Sequence, residues 1–130
     1  MSWMNLDLKA AETASALAKI AENSVLKKND VEKIVQTAGS VLAHQGLSAY
    51  FLHLKATKKP WARDVESHTY ELLRTAWPEV LAVVPKGNPL EDSAKFGDEL
   101  HRLIEGKQLV EQMLIYLRYH AKTLPEKTKG

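Results

Sequence analysis

VLAHQGLSAYFLHLKAT, residues 41 to 57, is the stretch from which the rest of the chain can be worked outward. Placed on a helix at about 100° per residue, Ala43, Leu47, Tyr50, Phe51 and Leu54 fall on one apolar arc, while Val41, Leu42, Ala49, Leu52 and Ala56 fall on a second. A helix apolar on two faces needs neighbours on both, so this segment is expected at the centre of a helical bundle. Two thin polar seams separate the arcs. One holds His44, Ser48 and Lys55, the other Gly46, His53 and Thr57, and these are the faces left for water or a partner. Gly46 costs about 1 kcal/mol in a helix interior without forbidding it, so it either separates the stretch from the helix before it or sits inside one long helix, and continuity is the favoured reading.

Moving towards the N-terminus, Leu6, Ala10, Ala14, Leu17, Ile20 and Ala21 form one stripe of a first helix from about Asn5 or Leu6 to Glu22, its buried side mostly alanine. Small side chains permit close helix approach, so this helix should lie tightly against another. Asn29 followed by Glu32 has capping-box spacing and opens a second helix through Val31, Ile34, Val35, Ala38, Val41 and Leu42. Towards the C-terminus, Pro60 ends the organising stretch and starts a helix reaching to Thr75. Pro78 interrupts it, leaving a short segment EVLAVV before the turn PKGNP. Asn88, Pro89 and Glu91 read as the start of another helix, and Gly97 as a break. A last helix from about Asp98 to Thr123 carries the broad apolar face Leu109, Val110, Met113, Leu114, Leu117 and Ala121, with Tyr116 at its edge. The expectation is an all-α, single compact bundle of about five to six helices over residues 1–124, followed by a disordered polar tail, 125–130.

Composition agrees. The 130 residues are 45% hydrophobic, with few glycines and prolines, and Ala, Leu, Lys and Glu lose little rotamer freedom in a helix. With no cysteine there is no disulfide, thiolate metal site or cysteine nucleophile, and the cytosol fits best. No basic leader precedes an apolar run, and no segment reaches the roughly 18 apolar residues of a membrane span.

The net charge of +2 becomes informative when divided along the chain. From Lys33 to Arg63 there is no acid, while Lys33, Lys55, Lys58, Lys59 and Arg63 give +5; from Asp64 to Glu111 ten acids face five bases. A bundle folded from these pieces should be electrically two-sided.

Catalytic signatures are missing. Histidines 44, 53, 68, 101 and 120 contain no i, i+3 or i, i+4 pair, and there is no HExxH or phosphate-loop pattern. Neither an enzyme nor a cofactor is expected. Two patches remain. Lys55, Lys58, Lys59 and Arg63, with Trp61 among them, combine cations and an aromatic in the way that neutralises phosphates and stacks a base without reading sequence; the alternative is a solvated lysine turn with Trp61 packed in the core. On the last helix, Arg118 and Lys122 share a face beside Ile115 and Tyr119, an apolar pair rimmed by basic groups that suits a contact surface.

The run VLAHQGLSAYFLHLKA resembles the small helical subunit of the type III-B CRISPR RNA-targeting effector, the Cmr complex. There a Gly-Leu pair in the middle of a helical hairpin precedes an apolar run with Phe-Leu and a lysine end, here Gly46, Leu47, Phe51, Leu52 and Lys55. LVEQMLIYLRYHAKTL is similar to that subunit's last helix. The resemblance implies a cytoplasmic, non-catalytic bundle that stacks with copies of itself along larger effector backbone subunits. It implies contact with guide or target RNA through Lys55 and its neighbours, with Arg118 and Lys122. The competing expectation is a helical adaptor that binds a protein through Ile115 and Tyr119 and has no nucleic-acid role.

Overall fold

The computed structural model describes residues 3–76 and 100–125, with side chains from 4–76 and 104–125. Five helices account for nearly all of them: α1 (Trp3–Glu22), α2 (Lys28–Gln45), α3 (Leu47–Ala56), α4 (Pro60–Ala76) and α5 (Leu100–Thr123). No strand occurs among the described residues. The chain is an all-α bundle around a single core. The segment EVLAVV, the PKGNP turn, the Asn88–Pro89–Glu91 helix start and the break expected at Gly97 lie outside the described residues, as do residues 126–130 of the polar tail.

The centre of the bundle is α5, not the 41-to-57 stretch. It packs against all four other helices, most extensively α1 and then α2, because Leu109, Val110, Met113, Leu114, Leu117 and Ala121 are all buried. The alanine stripe of α1 lies against it as expected. Ala10, Ala14 and Ala21 are fully buried, letting the two backbones approach. Asp7 fastens the edge of the seam, accepting from the Tyr116 hydroxyl at 2.9 Å and from Gln112 Nε2 at 3.1 Å.

At Gly46 the structure corrects the reading of one continuous helix. Its φ of 93° and ψ of −175° lie in a region that is essentially glycine-only. One residue closes α2 and opens α3: its N–H donates to Leu42 O at 3.1 Å, and its carbonyl accepts from Tyr50 N at 3.0 Å. Lys107 Nζ, from α5, donates to the nearby Ala43 carbonyl at 3.1 Å, placing a cation at a helix C-terminus that lacks continuing N–H donors. The 41-to-57 stretch is therefore divided between two helices, and each of its apolar arcs is divided with it. Val31, Val35, Ala38 and Leu42 are the core stripe of α2, and Leu47, Tyr50, Phe51 and Leu54 that of α3. On one straight helix these stripes would diverge by roughly 130°, and the break lets both face inward. Ala43 of the first arc is exposed, and of the second arc beyond Gly46 Ala49 is half-buried, Leu52 54% exposed and Ala56 exposed, so the second face lacks the covering neighbour expected of it.

Elsewhere the differences are small. α2 starts at Lys28 with Lys27 at its N-cap and no side-chain cap bond, so Asn29 and Glu32 lie inside the helix and form no capping box. α4 starts at Pro60, as expected, and ends at Ala76. Its inner face meets α3 through a buried relay. Thr69 Oγ1 donates to Val65 O at 2.6 Å, which leaves it to accept from the Tyr50 hydroxyl at 2.8 Å. Burial pushes the Tyr50 hydroxyl well above the usual phenol range, the Thr69 bond opposing this only in part, so the group is a permanent donor.

Candidate functional site

Lys55 sits in the last turn of α3, Lys58 and Lys59 in the connection to α4, and Arg63 in the first turn of α4, all four exposed. The connection is pinned at both ends. Thr57 N–H donates to His53 O and Leu54 O at 3.0 and 3.2 Å, and its hydroxyl to His53 O at 2.9 Å. On the far side, Ala62 N donates to Lys59 O at 3.0 Å. Three lysines and an arginine thus project from a short, hydrogen-bonded corner, where like charges gather without an acid between them in the chain.

Trp61 does not belong to this surface. It is 2% exposed, and its Nε1–H donates to Leu17 O of α1 at 3.0 Å. A Trp placed in the first turn of α4, on the face packed against α1, buries more apolar area than any other choice there. The ring anchors the corner from beneath and cannot stack on a base.

An acid does return to the patch through the helix period. Glu66 lies one turn beyond Arg63 and is partly buried. Burial raises its carboxyl above the usual range, while Lys55 and Arg63 pull it back down. The acid-free run ends in sequence at Arg63, and i, i+3 geometry brings Glu66, the second acid after it, beside it.

Arg118 and Lys122 are exposed on α5, as are Ile115 (48%) and Tyr119 (64%). Ile115 and Arg118 line a groove of about 240 Å³ between α5 and α2, with Gln36, Gly39 and Ser40 on the opposite wall. These residues make a second surface, on helices other than those that form the corner.

Beside the corner, a cleft of about 310 Å³ opens between α2 and α3. Lys33, Ile34 and Thr37 form the α2 wall with Asp30, and His53, Thr57 and Lys59 the other. Lys33, counted in the charge run, and His53 and Thr57, noted as a polar seam, were not expected to converge. The available signal was the i, i+3, i+4, i+7 spacing of Asp30, Lys33, Ile34 and Thr37, which puts them on one face of α2. His44 and His68 are occupied within their own helices, bonding Ser40 O and Asp64 O at 2.9 and 2.8 Å.

None of the described helices is long and apolar enough to cross a membrane. No protein-family model, curated protein or solved structure matches the chain.

Proposed function

We propose that the chain is a non-catalytic, cytoplasmic subunit of a type III-B CRISPR effector, stacking with copies of itself along larger backbone subunits and contacting guide or target RNA. The observation that carries this reading is the corner: Lys55, Lys58, Lys59 and Arg63 are all exposed on a backbone held by hydrogen bonds. The Gly46-Leu47 junction between two packed helices supports it, because the resembled family carries its Gly-Leu pair in a helical hairpin. Arg118 and Lys122 add exposed charge on α5, at the second surface. Phosphate neutralisation without base readout suits a subunit whose complex takes its sequence information from the guide.

The magnitude is bounded. Four phosphate contacts at about 0.7 each give a log–log salt slope near −3 on single-stranded RNA, so the isolated subunit binds at roughly micromolar affinity or weaker and tightens only when copies share a strand. The test replaces Lys55, Lys58, Lys59 and Arg63 with Glu and measures RNA binding by the assembled complex across a salt series. Unchanged affinity and slope remove this surface from the mechanism.

A second reading rests on a separate observation, the exposure of Ile115 and Tyr119 beside the α2–α5 groove. It makes the protein a helical adaptor whose partner affinity tolerates salt. RNA affinity that falls steeply with salt separates the first reading from this one.

A further inference from the structure

With Trp61 buried, the corner offers charge but no surface on which a base can rest. The cleft between α2 and α3 supplies one. We propose that it seats a single nucleotide of a bound RNA strand, with the phosphate between Lys33 and Lys59 and the base against the Ile34 side chain and the His53 ring. This rests on the RNA reading above and extends it from a charged corner to a shaped site.

The cleft volume, about 310 Å³, lies at the lower end of the range of roughly 300–1,000 Å³ for small-ligand sites. It has room for one nucleotide and none for a duplex. Its chemistry is divided in the way a nucleotide requires. Ile34 is half-buried against the core and offers an apolar wall, and the imidazole of His53 is the aromatic group at the site, a ring type on which RNA bases stack. Lys33 and Lys59 approach from opposite walls, so a phosphate between them meets charge on both sides.

Two hydroxyls complete the lining. The Thr57 hydroxyl already donates to His53 O, so its oxygen is left to accept, which suits the hydrogen of a ribose 2′-hydroxyl. Thr37 presents a second hydroxyl from α2. Lys59 also belongs to the corner, so a strand neutralised by Lys55, Lys58 and Arg63 passes the mouth of the cleft without leaving the surface. Asp30 is the one acid on the wall. One turn from Lys33, it opposes the phosphate and holds the affinity down.

The experiment is an NMR titration of the full chain with single-stranded RNA and with DNA of the same sequence, which suits weak affinities. The Ile34 methyls and the His53 ring protons are expected to shift along one saturable curve, with RNA binding tighter than DNA. Asp30→Asn should tighten binding, a gain that unfolding cannot produce. Lys33→Ala should weaken it and lower the salt slope by about 0.7. Thr37→Phe, which fills the cleft at an exposed position, should weaken it about fivefold or more with the slope unchanged. Equal binding of DNA refutes the hydroxyl contacts. If Asp30→Asn, Lys33→Ala and Thr37→Phe leave affinity unchanged while the four-residue charge reversal abolishes it, the cleft is refuted and the corner stands. If wild-type protein binds no RNA, alone or assembled, the RNA reading itself fails.

Discussion

Gly39 inside α2 and Gly46 at its C-cap, seven residues apart, should respond to the same substitution with opposite signs. Gly39 is inside the helix, and a Cβ built on it meets nothing within 4 Å. Gly39→Ala removes the backbone freedom of glycine at no steric cost, a gain of about 0.5–1 kcal/mol. Gly46 also has open space around its Cβ position, yet its φ is +93°. There the cost is conformational, about 1–3 kcal/mol for a side-chain-bearing residue in this region. The two variants should therefore differ by roughly 1.5–4 kcal/mol. Urea unfolding followed by far-ultraviolet circular dichroism resolves such a gap, since the slope with denaturant should be the same for both. A neutral or stabilising Gly46→Ala would mean that α2 runs on through residue 46, and the division of the stretch into two helices would be wrong. A destabilising Gly39→Ala would mean that the groove wall at Gly39 is covered.

Trp61→Phe should cost about 1–3 kcal/mol through the lost Nε1–H bond and the missing ring volume, and leave RNA affinity unaltered in the folded protein. A selective loss of RNA affinity would return Trp61 to the site. Replacing Ile115 and Tyr119 together with Lys should abolish co-assembly while the thermal midpoint hardly moves, and a variant that unfolds would put the pair in the core. Glu66 has a folded-state pKa raised above 4.5, so its contribution to stability is fully present below its unfolded value and is lost as pH rises through the folded one. Glu66→Gln should then be at least as stable as wild type at neutral pH, with an advantage that shrinks as the pH falls towards 4.5, and should bind RNA more tightly. A less stable variant at neutral pH would mean that attraction to Lys55 and Arg63 outweighs burial.

Local periodicity specified the core stripes of α1 and α5, because a 3.6-residue repeat places such residues on one face. Between residues 41 and 57 it offered two apolar arcs, and only packing selected Leu47, Tyr50, Phe51 and Leu54 as the inward set and left Leu52 and Ala56 exposed. Pro60 and the all-α class were legible for the same local reasons. Where helices end and which one sits at the centre depend on contacts between distant residues. Gly46 is compatible with helix, and only the demand that Leu42 and Leu47 both reach the core turns it into a break. Trp61 reads from its neighbours either as a stacking aromatic among lysines or as a core residue, and α1 decides for the core by supplying Leu17 O, 44 residues away, as its partner. The corner was visible as a charge run because its residues are close in sequence. The return of Glu66 to that corner, and the meeting of Lys33 with His53 and Lys59 across the cleft, were set by helix phase and by the packing of α2 on α3, which the order of residues does not display.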